Sequence, residues 1–532
     1  MRIRTGYGSY STLGCVLLTI IAAAPVAVDA QSADLNPAKM PRLGSVSERY
    51  QSFNVEMLEV TGGKFWAPYN QASEHPPASV ASNQSTPAGM DPSLYRYRSP
   101  IDLTNPRLRR MAAALGPSYL RVSGTWANST YFEDAAQPQL AKPPAGFKSV
   151  LTRKQWKGVV DFAHAVDAEI VTSFAISPGV RDAQGMWTPV EARKFLAYTK
   201  SIGGSIAAAE MFNEPNFASM GGAPKGYDAK QYGKDFQAFE SFVREAAPAM
   251  KVLGPGSVGE GQPLGDAVGI HMLRSEDMLA AMNRKVDVFS YHFYGGVSQR
   301  CVRPGTTALS TPDKALTREW LFRTVADEKY YAKLRDRFDP GKPIWVTETG
   351  ETACGGNPWA ADFIDSFRYL NQLGVLAKLG VQVVMHNTLA ASDYAFIDER
   401  TLQPRPNYWS ALLWRKLMGT TVLDAGPSPS ADLYLYAHCL RGRSGDVALL
   451  AINADRSESK EVSLPMEGER YTLSAANLMD NKVDLNGQAL ELTADGNVPA
   501  LHGVKTKRGK VVLPAASITF IALDGVKNAS CQ

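Results

Sequence analysis

Between residues 53 and 386 the sequence carries eight short β-branched or aromatic runs, most of them separated by stretches with helical spacing of their apolar residues. The runs fall at 53–57, 119–123, 169–174, 206–212, 252–254, 286–293, 343–347 and 381–386. Helical patterns occupy 105–115, 153–165, 190–202, 228–247, 316–337 and 360–379. Strands that alternate with helices must pair in parallel, because only a helix-length crossover brings the chain back in the same direction. Eight such units predict a closed (β/α)8 barrel. The competing open, doubly wound sheet would need a phosphate-binding turn. The one GxGxxG match, Gly254 to Gly259, runs into Glu260-Gly261-Gln262-Pro263 instead of opening a helix, and no GxxxxGK[ST] pattern occurs.

After a last helix at 409–417 the texture changes to short alternating segments at 433–438, 447–452, 460–464, 471–475, 490–493, 510–513 and 518–523, which predict an all-β sandwich. The expected organisation is a leader at 1–30, a barrel at 31–420 and a β-domain at 421–532, with residues 31–50 available to pair with the β-domain. The leader reading rests on Arg2 and Arg4 ahead of an apolar run from Leu13 to Val28 and on small residues around Val28-Asp29-Ala30. It predicts a secreted or periplasmic protein. Without it the chain carries 54 basic against 51 acidic residues, a net +3, and no basic run that would mark a nucleic-acid site. No other apolar run is long enough to span a membrane. The four cysteines beyond the leader, Cys301, Cys354, Cys439 and Cys531, allow three pairings or four buried thiols. Their placement favours Cys301 with Cys354 and Cys439 with Cys531.

In such a barrel the chemistry sits where strands end at their C-terminal side. Two glutamates stand there, Glu214 in Asn213-Glu214-Pro215 after the fourth strand and Glu348 after the seventh. Two carboxylates across a sugar-sized cleft are the working parts of glycoside hydrolysis. Pro215 disfavours the helical region for Glu214 and predicts an extended residue. Asn213 offers an amide to a sugar 2-hydroxyl, and Tyr294, ending the sixth strand, offers a hydroxyl to Glu348. His292 either lines the site or packs in the core. Glu210 is expected to face the barrel layers or a helix, and Glu351 rivals Glu348 by nearness alone. The seven histidines include no HxH or HxxxH pair, so neither a metal nor another cofactor is expected.

These residues resemble a known family. Asn-Glu-Pro after strand four and a glutamate after strand seven are similar to the retaining (β/α)8 glycosidases. Within them LGPSYLRVSGT (115–125), WVTETGETACGGNP (345–358), VQVVMHNTLAASDYAFIDE (381–399), NYWSALLWRKLMGTTVL (407–423), VDLNGQALELTADGNVPALHG (483–503) and LPAASITF (513–520) resemble glycoside hydrolase family 79, the heparanase and β-glucuronidase family. The resemblance implies a retaining β-glucuronidase with Glu214 as acid/base and Glu348, not Glu351, as nucleophile. It implies that Gly355, Gly356 and Tyr394 hold the sugar carboxylate, that Glu56 and Asn128 contact hydroxyls, and that Asn387 stands near a family glutamine. It also supports the Cys439–Cys531 pairing. The expected partner is a glucuronic-acid-containing glycoside or polysaccharide, met by a monomer. A heparanase-like endo-β-glucuronidase and an inactive glucuronide-binding protein are the alternatives. The excised linker of animal heparanase is missing between strands two and three, and 271–285 holds only Arg274, Arg284 and Lys285 as basic residues.

Overall fold

The computed structural model describes residues 35–69, 91–262, 264, 271–302 and 309–532. The leader expected at 1–30 lies outside them. Eight strands close into a parallel barrel: β1 (Gln51–Glu56), β2 (Ser118–Ser123), β3 (Ala168–Ser173), β4 (Ile206–Glu210), β5 (Lys251–Val258), β6 (Val288–Tyr294), β7 (Ile344–Gly350) and β8 (Val383–His386). Each pairs in parallel with its sequence neighbours, and β8 closes onto β1. All eight coincide with the predicted runs. The helix expected over 316–337 is two, Arg318–Leu321 and Thr324–Phe338.

Side chains alternate across a strand, so each barrel strand feeds two compartments. Leu120 and Val122, Phe289, Tyr291 and Phe293, and Val346 face outward into the core shared with the helices. Tyr119, Val171, Ala208, Leu253, Val288, Trp345, Val383 and Met385 face inward and fill the lower barrel as a separate apolar plug. One or two positions further along the same inward rows come Arg121, Glu210, Ser290 and His292, all buried. The barrel is therefore apolar at its base and charged toward the C-terminal ends of its strands.

Beyond the barrel, strands β9 (Met418–Leu423), β10 (Leu433–Leu440), β11 (Val447–Asn453), β12 (Lys460–Leu464), β13 (Gly468–Ser474), β14 (Gly509–Leu513) and β15 (Ser517–Leu523) form two layers. The large antiparallel sheet runs Arg42–Ser45, β9, β10, β11, β15, β13 and then the hairpin Asp484–Leu485/Gln488–Ala489, while β12 and β14 pair as a second layer. Strict alternation again sorts the side chains. Leu433, Leu435, Val447, Leu449, Ile521 and Leu523 meet Val462, Leu464, Val511 and Leu513 of the second layer. Tyr434, Tyr436, Leu450, Ile452, Ile518 and Phe520 face the barrel helices instead. Tyr436 donates a 2.7 Å hydrogen bond to Asn371 on the helix Phe363–Lys378. The strand expected at 490–493 is not formed. The chain turns instead at Asn486-Gly487, a dipeptide suited to a two-residue hairpin because both central positions take positive φ. Both disulfides form as placed, Cys301–Cys354 and Cys439–Cys531.

Candidate active site

Arg121 is the centre of the charged layer. It is 1% exposed in the middle of β2, between Leu120 and Val122, and its guanidinium reaches three partners. Nη1 donates to Glu348 Oε2 at 2.7 Å; Nη2 donates to Glu210 Oε2 at 2.8 Å and to Asn213 Oδ1 at 2.8 Å. The buried cation thus has charged and polar acceptors on several sides, the condition under which burying a guanidinium is tolerable. Glu210 also accepts from Ser290 (3.0 Å) and Thr347 (2.7 Å). Burial opposes its charge, but Arg121, His292 and these hydroxyls outweigh burial and hold the carboxyl well below the usual range. Glu210 is a structural counter-ion inside the barrel.

Glu348 reaches the same layer through a register shift. Tyr291 pairs with Val346 but His292 pairs with Glu348, so Thr347 is the extra residue of a β-bulge. Thr347 and Glu348 then both serve the barrel interior, the first on Glu210 and the second on Arg121. Tyr294 donates to Glu348 Oε1 at 2.7 Å. Burial and the adjacent Glu348 push the Tyr294 hydroxyl well above its ordinary pKa, so it remains a donor.

Glu214 is not extended. Its φ of 50° and ψ of 63° are left-handed, and it caps the short 3-10 turn Pro215–Phe217. Proline excludes the right-handed helical region for the preceding residue but leaves this one open, at a cost in strain of order 1–3 kcal/mol. The turn brings Glu214 Oε1 to 3.1 Å from His292 Nδ1. Burial raises the Glu214 carboxyl above its ordinary pKa; the His292 contact lowers it and Glu348 adds to the rise. His292, fully buried, is driven down by burial and Arg121 but up by Glu348, Glu210 and Glu214, and it ends raised to about 9. Its Nε2 stands 3.2 Å from Arg121 Nη2 and 3.7 Å from Glu210.

The remaining expected residues divide into wall and support. Glu56, Asn213, Tyr294, Asn387 and Tyr394 line one cavity with Glu214 and Glu348. Asn387 Nδ2 sits 3.2 Å from Glu56 Oε1, 3.0 Å from the Tyr294 hydroxyl and 3.2 Å from the Tyr394 hydroxyl. Burial, then Glu348, raises the Glu56 carboxyl well above the usual range. Its Oε2 occupies the space that a Cβ on Gly124 would take, 1.5 Å away, which requires glycine there. Asn128 stands behind the wall: its amide donates to the Asn213 carbonyl (2.9 Å) and accepts from the Asn213 N–H (2.8 Å), clamping the main chain beside Glu214. It does not face the cavity as a hydroxyl contact would.

Gly355 and Gly356 follow Cys354 in an unusual run of three positive φ values, 68°, 81° and 85°. A Cβ on Gly355 would sit 2.7 Å from Trp66, so the close approach also requires glycine. This loop is stitched to the one after β6 by the Cys301–Cys354 disulfide, by Ser298 Oγ donating to the Gly356 carbonyl (2.7 Å) and by the Gln299 N–H donating to Asn357 Oδ1 (2.9 Å). Glu351 is fully buried beneath it and accepts from Thr352 and from the N–H and amide of Asn357. Burial and Asp365 push its carboxyl up to about 7.

Sequence reasoning did not find Arg121 as a site residue, nor the aromatic cavity wall of Trp66, Tyr95 and Trp126, in which Trp66 and Tyr95 stack at 4.5 Å. Among the described residues, Glu214, His292 and Glu348 form one trio whose nearest ligand-type atoms all lie within 4.8 Å. The positive charge beside Glu348 is already supplied by Arg121. Chemically, the pair offers one carboxyl raised toward protonation and one held by a guanidinium and a phenol, close enough to act on a single bond.

A family model described as glycosyl hydrolase family 79, N-terminal domain, matches residues 99–374. Heparanase of Mus musculus is 28% identical over 491 residues, covering 81% of this chain and 88% of that protein. Hyaluronoglucuronidase of Hirudo nipponia is 26% identical over 491 residues, covering 80% and 90%. In fold, the chain is similar to a 4-O-alpha-L-rhamnosyl-beta-D-glucuronidase from Fusarium oxysporum, with a TM-score of 0.63, 13% identity, and 92% and 100% of the two chains covered.

Proposed function

The chain belongs to glycosyl hydrolase family 79, and on that premise we propose that this glycoside hydrolase is an exported, retaining β-glucuronidase. The observation that supports the mechanism is the approach of Glu214 and Glu348, whose nearest carboxylate oxygens lie within 4.8 Å of each other. So close an approach favours the retaining arrangement, with carboxyl groups about 5–5.5 Å apart, over the inverting one, which leaves about 6.5–9.5 Å for a water. Glu348 attacks the anomeric carbon while Glu214 gives its proton to the leaving oxygen, and the C–O bond to the aglycone breaks. A glucuronyl ester forms on Glu348. Water then attacks the same carbon, Glu214 takes the water proton, and Glu348 leaves as carboxylate.

The environments suit these roles. Burial favours the protonated form of Glu214, which an acid needs. Arg121 and Tyr294 orient Glu348 and stabilise it as the departing carboxylate of the second step. The sugar carboxylate is assigned to the main chain at Gly355 and Gly356 and to the Tyr394 hydroxyl, since backbone N–H groups hold an anion without a cation. Asn213 is assigned to the 2-hydroxyl. Arg121 also donates to Asn213 Oδ1, which leaves the amide NH2 as the group available to a ligand.

The test is hydrolysis of an aryl β-D-glucuronide followed by proton NMR. Release of the β-anomer first supports retention; release of the α-anomer overturns it. The likeness to heparanase favours a second reading, endo-cleavage of a glucuronate polymer. Product sizing on heparosan separates the two, since mid-size fragments mean endo-cleavage and free glucuronate alone means exo-cleavage. Absence of turnover with bound ligand would leave the glucuronide-binding alternative.

A further inference from the structure

The aglycone side of the cavity has a chemistry of its own. In a retaining enzyme the leaving group lies against the acid, so the residues around Glu214 are those it must meet. The turn that starts at Glu214 continues into Phe217, Met220 and Gly221, all on the cavity wall, and Val258 at the end of β5 and Val297 after β6 complete the same side. Phe217, Val258 and Val297 are buried in one apolar cluster with Leu264, and Met220 packs against it; the cluster continues to Tyr294 and Tyr394 on the sugar side of the cavity. The polar side chains next to this turn in the sequence that also line the cavity are Asn213 and Glu214 itself.

Charge points the same way. Among the described residues lining the cavity the ionisable acids are Glu56, Glu214 and Glu348, and no lysine, arginine or histidine is present. Arg121 lies beneath the floor at 1% exposure, already committed to Glu348, Glu210 and Asn213. Among the described residues around this turn, a sulfated sugar in the leaving position would find no lysine, arginine or histidine on the cavity wall beside Glu214, and its hydroxyls would meet aliphatic carbon with few partners. Buried polar groups without partners are penalised far more heavily than an apolar group gains.

We infer that the enzyme takes β-glucuronides whose aglycone is apolar and aromatic, and that Phe217, Met220, Val258 and Val297 form the subsite that selects it. This rests on the glucuronidase reading above. Binding an additional ring there transfers apolar surface from water to a preformed apolar wall, which in hydrophobic pockets discriminates substrates by about 10- to 200-fold.

The experiment compares phenyl and 2-naphthyl β-D-glucuronide, whose leaving phenols are of similar acidity, with a glucuronate-terminated N-sulfated oligosaccharide. The expected result is a kcat/KM about tenfold higher for the naphthyl than for the phenyl compound, expressed mainly in KM, with the sulfated compound slowest. Met220→Lys should collapse the naphthyl preference toward unity and raise the relative rate on the sulfated compound. Val297→Thr, nearly unchanged in shape, should reduce the preference in part, which keeps the test open if the lysine variant folds poorly. Equal rates on phenyl and naphthyl glucuronides, or fastest cleavage of the sulfated oligosaccharide, would overturn the inference while leaving a working glucuronidase. Failure to cleave any of the three would instead overturn the glucuronidase reading, and this inference with it.

Discussion

Glu348 and Glu214 share a cavity yet are held by opposite means. Glu348 is locked at both oxygens, by a guanidinium at 2.7 Å and a phenol at 2.7 Å, on a bulged strand inside a closed sheet. Glu214 hangs from a left-handed residue before a proline, with one imidazole contact at 3.1 Å and a carboxyl raised by burial. Two residues of identical chemistry are thereby turned into different groups, one braced to bear charge and one poised to lose a proton. The difference comes from their neighbours and from backbone geometry, not from the side chains.

The comparison breaks hardest at Glu348. Glu348→Gln keeps the shape and the donors around it but removes the nucleophilic oxygen. Activity on an aryl glucuronide should fall by at least about 10⁴-fold, while the variant still unfolds in one cooperative transition, at a lowered melting temperature because Arg121 loses a buried counter-charge. Residual activity above about a tenth of wild type would remove Glu348 from that role.

Glu214→Ala should act selectively. Substrates with poor leaving groups should lose about 10²–10⁴-fold in kcat/KM, whereas an acidic phenol as leaving group needs little protonation and should lose far less. Azide should restore turnover by entering the space vacated by the carboxylate. In the wild type, kcat/KM should decline on the alkaline side as the raised Glu214 carboxyl ionises, and that limb should be missing from the variant. Equal losses on every leaving group would contradict the acid assignment.

How far these contrasts could be read in advance depends on the physics that produces them. The barrel was legible because eight strands buried on both faces cannot hide their β-branched composition. Glu214 and Glu348 were legible because both stand at the C-terminal ends of strand-like runs, although Glu348 lies within β7 rather than after it and Glu214 four residues beyond β4. Arg121 carried a signal that went unused: in 119–123 it shares the inward parity of Tyr119 and Ser123, and an arginine at such a position must have buried acidic partners. Glu210, inward in β4, is one of them. The bulge at Thr347 left no pattern, since one extra residue in a short strand does not disturb its composition. The left-handed Glu214 was missed because the rule for a residue before proline excludes one region of backbone space without choosing among the others. The wall of Trp66, Tyr95 and Trp126 comes from loops, where no periodicity marks which side chain turns inward. The Leu-Glu-Leu-Thr alternation at 490–493 suggested a strand, but alternation without a partner edge does not make one.

Arg121→Met probes the braced side. It leaves Glu210 and Glu348 in a buried layer without the guanidinium, with His292 as the neighbouring cation and Ser290, Thr347 and Tyr294 still donating to them. Removing one partner of a buried ion pair costs about 3–5 kcal/mol, much of it the desolvation of the charge left behind. Urea unfolding should show that loss, and Glu210→Gln in the Arg121→Met background should recover part of it by removing one stranded carboxylate. A loss below about 1 kcal/mol, or no recovery, would show that the layer does not depend on Arg121.

His292 joins the two sides, with Nδ1 on Glu214 and Nε2 between Arg121 and Glu210. Three carboxylates raise its pKa from 6.5 to about 9 against burial and the approach of Arg121. A histidine raised on folding binds its proton more tightly in the native state. Its contribution to stability is therefore complete below about pH 6.5 and is lost as the pH rises through about 9. The full span of that shift corresponds to roughly 3 kcal/mol. His292→Gln retains a donor for Glu214 but has no charge to titrate. Unfolding free energies measured at pH 6 and pH 9.5 should fall more steeply for the wild type than for the variant, by an amount of about 1–3 kcal/mol. Identical pH slopes would mean that His292 is neutral in the folded protein, accepting from Arg121 at Nε2, and that Glu214 faces no cation across that contact.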